Sequence, residues 1–547
     1  MKTIKTMLKS ISDYFRQIGG RYPLTALLIL LVSLSAALFI DQSNAFANFM
    51  ENQGLSFLVL WGFGAFFAET FLSGRRGAKW AAAAAAAVLS GVLVYFRYYS
   101  AEPLKTNAGH WTAACGIVFA VLGTWKNYKN SGQPFNAWCI RVVHELSRLA
   151  IICAVTAAGL ALVTATFVAL ILNGQHYMLV FRAEFLVLGC LLGSGVLYAQ
   201  IRPERERPAF FNVIVRYLLT GLLTAAFVIV YLYILKIIIT RVMPSNEVFR
   251  ILAGLFIIGL PIWTLAGTYD EKDPLIRIAV RLPYLFIPFL FLQGYAIRQR
   301  IAAYGLTPLR YLCLVLMLFE VIYIIVYAAR KRETGIMLPV IAVLAVICLA
   351  VPGCNMFSMS VRSQKAILDR GAAAGFAGLS REDQSSVAGA YYYLASDPEG
   401  KLLLTDTDPA LIAAIESSGM IGEPDFDRNI SVYLEFPVRD ADISGFTSLS
   451  RVSTWLPDPD STQEDGYDPK AIVFYSPDGS QLLTADLSAF INECISAQAA
   501  DPETAQGPDG ILRISEDRMI LLDHCSFTAE TDGTYRWMDL AGVLLEK

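Results

Sequence analysis

The chain has 547 residues, of which 55% are hydrophobic and only 17% are charged, whereas about a quarter are charged in a soluble globular domain. Residues 1–351 carry 31 basic and 15 acidic side chains, and residues 352–547 carry 13 basic and 32 acidic ones. This division excludes a soluble single-domain protein, and the acidic remainder argues against nucleic acid as a partner.

A basic leader, residues 1–22, precedes a long apolar region. A signal peptide ending near Ala45-Phe46-Ala47 is an alternative for the first apolar run, but the many runs that follow favour an uncleaved first span. Runs of about 18 apolar residues are typical of transmembrane helices, because lipid satisfies no backbone polar groups. We therefore predict a transmembrane domain over residues 23–351 with about eleven spans: 23–40, 55–72, 80–96, 111–125, 149–172, 185–199, 217–239, 251–265, 282–297, 311–329 and 336–351.

The basic residues between the spans predict the orientation of the chain. If the N-terminus is cytoplasmic, the inside segments hold 22 basic residues and the outside segments nine, as the positive-inside rule requires. An odd number of spans then places the C-terminal region outside the cytoplasm. We expect a multi-pass protein of the bacterial cytoplasmic membrane, with the lipid bilayer as its first partner.

Beyond the last span, the apolar runs shorten to lengths typical of a folded water-exposed domain. Residues 352–395 have a helical composition and predict a connector. Residues 396–547 contain short β-type runs, a turn signal at 476–480 and one helix, which together predict an α+β domain. The predicted fold is thus a polytopic α-helical membrane bundle followed by an extracytoplasmic α+β domain.

The loop between the spans 282–297 and 311–329 concentrates turn chemistry. Gly305 tolerates a positive φ, Thr307 suits a helix N-cap, and Pro308 suits the first helical position. These residues, between Tyr304 and Tyr311, predict a rigid hairpin.

Two arginines, Arg300 and Arg310, flank this loop on the side where the charge rule expects few basic residues. One interpretation is that they bind an anionic group, such as a lipid phosphate, and the other is that they serve the hairpin itself. A contact with the C-terminal domain would also explain them.

The segment RIAAYGLTPLRY, residues 300–311, resembles a recurrent motif of bacterial polytopic proteins grouped as domain of unknown function 4153. The phrase DISGF, residues 442–446, is similar to one that follows the spans in such proteins. The resemblance implies an integral membrane protein of bacteria and assigns no catalytic residue.

Two carboxylates, Glu69 and Glu320, lie inside predicted spans. A charge in the bilayer costs at least about 2–3 kcal/mol unless it is paired, protonated or hydrated, so both are functional candidates. Lys236 and Arg182 are candidate partners, or they extend to the membrane surface. The alternative for both acids is a structural hydrogen bond or ion pair.

Other site chemistry is sparse. The histidines, at 110, 144, 176 and 524, have no metal-ligand spacing, so we expect no metal, and no motif indicates a cofactor or a catalytic group. Cys494 and Cys525 would form a disulfide in an oxidising compartment if they are close in space. Asp41 and Glu51, in the first outer loop, are the acids that a transferase hypothesis requires.

Three functions remain open on these residues. The leading hypothesis is an envelope sensing, binding or scaffold protein whose C-terminal domain binds an envelope protein or lipid ligand. The alternative is a transporter or lipid-handling protein that uses the intramembrane carboxylates. The third is a lipid-linked glycosyl or phosphoryl transferase, although an enzyme is the less favoured class.

Overall fold

A computed structural model describes residues 14, 16–40, 45–171, 177–202, 209–240, 247–405, 407–418, 430–435, 446–454, 469–476, 480–500, 510–515, 517–529 and 535–547. The chain forms two compact units, Met1–Met420 and Ile421–Lys547. The first is helical and contains the apolar region, and the second contains a β-sheet.

The described helices of the first unit follow the apolar runs closely. They are α1 (Pro23–Phe39), α2 (Ala45–Phe49), α3 (Leu55–Phe71), α4 (Arg76–Tyr99), α5 (Leu104–Ser131), α6 (Phe135–Ile171), α7 (Met178–Ile201), α8 (Ala209–Val213), α9 (Thr220–Thr240), α10 (Glu247–Ala266), α11 (Pro274–Ala279), α12 (Leu282–Leu285), α13 (Ile287–Tyr304), α14 (Pro308–Ala329) and α15 (Met337–Leu349). Single π-helical turns, Met50–Gly54 and Ile214–Leu219, join α2 to α3 and α8 to α9.

Eight described segments are long and apolar enough to cross a membrane: Ala45–Phe71, Gly77–Tyr99, Leu104–Ser131, Phe135–Val168, Met178–Ile201, Ala209–Ile237, Phe249–Ala266 and Pro308–Ala329. Two shorter apolar helices are Pro23–Phe39 and Met337–Leu349. The run at 282–297 is divided between α12 and α13. Each of the eleven predicted spans thus contains helix, while their exact number in a bilayer stays a prediction.

The outer surface of these helices carries large apolar side chains, as expected for helices that contact lipid. Large residues such as Phe291 and Ile239 are exposed to the surroundings, whereas small residues such as Ala65 and Ser90 are among the buried ones. At Gly193 on α7, an added Cβ would press against Ile29 of α1, so glycine permits this close approach.

Four further helices close the first unit beyond the apolar region. They are α16 (Met356–Ala374), α17 (Arg381–Ser396), α18 (Pro398–Leu404) and α19 (Pro409–Ser417), with a short 3₁₀ turn at Phe376–Gly378. Each begins at a polar N-cap side chain: Asn355, Ser380, Asp397 and Asp408. They share a core that includes Leu368, Leu394 and Ile415. Helices α16 and α17 are the helices of residues 352–396, while the role of residues 352–395 as a connector stays a prediction.

The second unit is a seven-stranded antiparallel sheet. Its strands are β1 (Ile430–Glu435), β2 (Ser448–Ser453), β3 (Ile472–Tyr475), β4 (Gln481–Ala485), β5 (Ile511–Ser515), β6 (Arg518–Ala529) and β7 (Tyr535–Glu546). The order is β1-β6-β7-β2-β3-β4, and β5 also pairs with β6. The helix α20 (Ser488–Ala500) contributes Ile491 and Cys494 to the core with Phe474 and Phe527.

Candidate functional site

The most unusual polar group in the described helices is the Glu320 carboxyl, on the inner face of α14. Its residue is 0% exposed. Gln293 of α13, also fully buried, donates a hydrogen bond from Nε2 to Glu320 Oε1 at 3.4 Å, near the long limit for such a contact.

Among the residues that the structure describes, Glu320 Oε2 and Gln293 Oε1 have no hydrogen-bond partner. An ionised carboxylate only accepts hydrogen bonds, and an amide oxygen only accepts them too. Each residue of this contact therefore has a buried acceptor without a donor in the described part of the chain. Leaving each such group unsatisfied costs about 1–3 kcal/mol.

Buried aromatic side chains form a cluster along the helices that carry Glu320 and Gln293. Phe256 and Trp263 of α10 pack against Tyr323 of α14, and Phe286 and Phe289 complete the cluster. Trp263 Nε1 donates to the Tyr323 hydroxyl at 2.6 Å. No ion pair between Glu320 and a basic side chain occurs in the described part of the chain.

Buried polar side chains continue along the same face of α14. Glu320, Tyr323 and Tyr327 are three and four residues apart, which is the spacing of one helix face. The Tyr327 hydroxyl donates to the carbonyl of Val280 at 2.8 Å. This face leads from Glu320 toward the helix end at Ala329.

Glu69, the other intramembrane carboxylate, has a different environment. Although it is only 2% exposed, its two oxygens accept hydrogen bonds from Leu24 N at 2.9 Å, Thr25 N at 3.2 Å and Thr25 Oγ1 at 2.6 Å. These amides belong to the first turn of α1, whose N-cap residue, Tyr22, supplies no side-chain cap. Glu69 therefore caps α1 from α3, which is the structural alternative for this residue.

The candidate cationic partners of these acids lie elsewhere. Lys236 is exposed on α9, as expected for a side chain that extends to the membrane surface. Arg182 donates from Nη2 to the carbonyl of Ile40 at 3.2 Å. In the described residues, neither forms an ion pair with Glu69 or Glu320.

The loop between α13 and α14 is a tight, internally bonded turn. Gly305 has φ +75°, and Thr307 accepts a hydrogen bond from Arg310 N as the N-cap before Pro308. Arg310 is buried and donates from Nη1 to the Gly305 carbonyl at 2.8 Å. The guanidinium groups of Arg300 and Arg310 lie 5.9 Å and 5.6 Å from the Tyr304 ring centroid.

Helices α16 and α17 hold the backbone of this loop. Gln364 Nε2 donates to the carbonyls of Tyr304 at 3.2 Å and Leu306 at 3.0 Å, and Leu306 N donates to Ser363 Oγ at 2.8 Å. Ser386 Oγ of α17 donates to the carbonyl of Ala303 at 2.9 Å. The Tyr311 hydroxyl also donates to the carbonyl of Cys354 at 2.6 Å. The loop is therefore the attachment point of the connector helices.

In the second unit, Cys494 of α20 and Cys525 of β6 lie in one core as free thiols. A hydrogen bond with Cys494, together with burial, raises the pKa of the Cys525 thiol above its usual range. The two side chains are thus adjacent, and the predicted disulfide between them stays a prediction.

The remaining predicted site residues form no metal-ligating group, since no three metal-ligating side chains lie together among the residues that the structure describes. Glu51 is exposed on the π-helical turn, while Asp41, His176 and residues 442–445 lie outside the described residues. Because Asp41 lies outside the described residues, the transferase hypothesis stays a prediction.

Two residues of the site were not identified from the sequence. Gln293 is a lone uncharged polar side chain in an apolar run, and Gln364 lies in a polar helix where nothing distinguishes it. The sequence contains a usable indication of Gln293, since a glutamine inside a span needs a hydrogen-bond partner. It contains no indication of Gln364.

A family model described as "Domain of unknown function (DUF4153)" matches residues 26–381, from α1 to the first residue of α17. The match includes Glu69, Gln293, Glu320, the α13–α14 loop and Gln364. No curated protein and no solved structure matches the chain.

Proposed function

The chain belongs to the DUF4153 family, and from the geometry at Glu320 we propose that it is a membrane sensor that responds to protonation of this residue. The response is a change in the packing of α13 against α14. Its output is the position of the connector helices α16 and α17, which are attached to the loop between those two spans.

The supporting observation is the pair of unpartnered oxygens on Glu320 and Gln293. A single proton on Glu320 Oε2 supplies the missing donor, because the neutral carboxyl donates to one amide oxygen while it accepts from the same amide. Without that proton, an unpaired charge lies in an aromatic core and costs at least about 2–3 kcal/mol. Loss of the proton therefore favours a rearrangement that admits water or a cation.

The connection to the output is short. Gln293 and Glu320 lie on the two helices that enter and leave the loop at 304–307. Because Gln364, Ser363 and Ser386 hold the backbone of that loop, a shift of α13 against α14 displaces their hydrogen bonds. We propose that the signal passes to the C-terminal unit and that this unit lies outside the cytoplasm, where it binds an envelope ligand.

A proton-coupled transporter is the second candidate, because the polar face from Glu320 to Tyr327 gives protons a route toward one side of the bundle. The two functions differ in what they require. A sensor responds to pH without any transported substrate, whereas a transporter needs a substrate gradient to complete its cycle.

The test is amide hydrogen exchange on the full chain in lipid nanodiscs over a range of pH. We expect exchange at residues 304–307 and in α16 to increase as pH rises through the deprotonation of Glu320. Glu320→Gln keeps an uncharged side chain that donates to Gln293, so this variant should stay protected at every pH. Glu69→Gln, an equally buried substitution, should lose stability but keep the pH response. A pH response that is the same in Glu320→Gln and in the unsubstituted protein would overturn the proposal.

A further inference from the structure

A groove between α3, α4 and α5 has one charged side chain among its lining residues. Its cavity volume of about 580 Å³ lies within the range of about 300–1,000 Å³ that is typical of small-molecule pockets. The walls are mainly apolar and include Leu60 and Phe63 of α3 and Ile117 of α5, while Arg97 of α4 is the charged lining residue.

The groove lies along segments long and apolar enough to cross a membrane. Phe63 is 40% exposed, and Val59 and Ile117 are similarly open, although all three are large apolar residues. Such exposure is unfavourable in water and favourable against hydrocarbon. An acyl chain is the occupant that matches these walls.

The polar side chains of the groove are gathered near one end of the three helices. Arg97 lies near the end of α4, Ser56 near the start of α3 and Thr112 in the first third of α5. Ser56 Oγ donates to the carbonyl of Asn52 at 2.6 Å, and Thr112 Oγ1 donates to the carbonyl of Ala108 at 2.7 Å. The hydroxyl hydrogen of Ser56 is therefore committed to the preceding π-helical turn, and that of Thr112 to its own helix.

Arg97 differs from these hydroxyl groups because its guanidinium N–H groups have no carboxylate to donate to in the described part of the chain. The guanidinium carbon of Arg97 lies 5.6 Å from the centroid of the Tyr98 ring. No carboxylate forms an ion pair with it among the residues that the structure describes. A half-buried arginine at the end of an apolar groove thus lacks an anion, and its planar fork of donors matches the oxygens of a phosphate.

We propose that this groove binds one anionic glycerophospholipid, with the phosphate on Arg97 and an acyl chain between α3 and α5. This site is separate from the one at Glu320, on different helices, and it does not depend on the proposed sensing function. A zwitterionic lipid is a weaker ligand, because its own cationic group competes with Arg97 for the phosphate.

The test compares lipid binding by the full chain and three variants. Each protein is purified in a mild detergent, supplied with phosphatidylglycerol or phosphatidylcholine, and examined by native mass spectrometry. Arg97→Gln removes the charge, and Gly116→Leu fills the groove. An added Cβ at Gly116 meets Leu60 and Phe63 only at 3.9 Å, an ordinary contact distance, so the start of that side chain fits without a clash. Lys105→Gln is the control, because it removes one positive charge from an exposed side chain at the start of α5 that is not among the lining residues.

We expect the unsubstituted protein and Lys105→Gln to retain one phosphatidylglycerol in preference to phosphatidylcholine. Arg97→Gln should weaken retention about fivefold, the effect of one basic residue at a lipid phosphate. Gly116→Leu should reduce retention of either lipid. Equal retention in Arg97→Gln and Lys105→Gln, or a preference for phosphatidylcholine in the unsubstituted protein, would overturn the proposal. Arg97→Gln decides the question even if Gly116→Leu fails to fold.

Discussion

The capping of α1 by Glu69 leads to a quantitative prediction about stability. Helix N-termini leave their first amide groups without intrahelical partners, and at α1 these include Leu24 and Thr25, directly after Pro23. Both amides donate to Glu69, and the Thr25 hydroxyl does so as well. Because Glu69 comes from α3, its carboxylate joins two helices and also replaces a local N-cap.

Replacing Glu69 by alanine removes the acceptor for both amides. Each unsatisfied buried amide costs about 1–3 kcal/mol, so we expect Glu69→Ala to lower the free energy of unfolding by about 3–5 kcal/mol. Glu69→Gln keeps one carbonyl oxygen but loses the charge at the positive end of the helix dipole, which is worth up to about 2 kcal/mol. Because the amide nitrogen of that glutamine cannot accept from the second group of donors, the variant should lose about 2–4 kcal/mol. Thr25→Val removes one hydroxyl donor and should cost about 1 kcal/mol.

The measurement is the free energy of unfolding by steric trapping in bicelles, supported by the apparent melting temperature in detergent. Glu51→Gln is the control, because Glu51 is exposed and its substitution should change stability by less than about 0.5 kcal/mol. In order of decreasing free energy of unfolding, we predict the unsubstituted protein, Thr25→Val, Glu69→Gln and Glu69→Ala. If Glu69→Ala is as stable as Glu51→Gln, the capping argument is wrong.

Three further predictions concern other parts of the chain. Gly305→Ala should loosen α16 from the α13–α14 loop, because a φ of +75° with a ψ of −172° is a backbone region essentially restricted to glycine and costs an alanine about 1–3 kcal/mol. The added Cβ would also clash with Ile367 Cδ1. Proteolysis within α16 measures the effect, and Gly378→Ala, where no atom lies near the added Cβ, should have none. A hydrogen bond from Arg216 Nε, at 2.6 Å, holds the pKa of Asp273 below its usual range. The ionised Asp273 should therefore stabilise the fold at every pH above the pKa of an unfolded aspartate, and this stabilisation should disappear as pH falls through the lowered pKa. Melting temperatures of the unsubstituted protein and Asp273→Asn should therefore differ at neutral pH and converge in acid, whereas a constant difference would contradict the argument. If Cys494 and Cys525 form the predicted disulfide, they should resist thiol labelling after denaturation unless a reductant is added. Cys525→Ser should then lower the free energy of unfolding by about 3–4 kcal/mol. Labelling of both thiols without reductant would show that the chain keeps them reduced.

Much of the architecture follows from local patterns in the sequence. Apolar length predicts the helices, and Gly305, Thr307 and Pro308 predict the turn between α13 and α14, because each of these residues acts on its own backbone. The short β-type runs of the sequence, at 430–436, 471–475, 481–484, 511–514 and 519–522, overlap β1, β3, β4, β5 and part of β6, and the helical run at 487–495 overlaps α20. In contrast, β2 and β7 were not predicted, since SLSRVS and YRWMDLAGVLLE become strands through pairing with distant segments.

The site was less accessible from the sequence because its chemistry depends on pairing between helices. Glu69 and Glu320 are equivalent as sequence features, each an acid within a span. Their environments differ because the start of α1 gives Glu69 three hydrogen-bond donors, whereas Gln293 gives Glu320 a single donor. No local pattern encodes which helix end or which glutamine lies opposite an acid.

The measurement that tests the central claim most directly is infrared difference spectroscopy of the full chain in nanodiscs, between acid and alkaline pH. A protonated carboxylic acid has a carbonyl band separate from those of amides and carboxylates. We predict that the unsubstituted protein loses such a band as pH rises, that Glu69→Gln still shows this loss, and that Glu320→Gln lacks it. A difference band that persists unchanged in Glu320→Gln would show that another group carries the proton and would contradict the account.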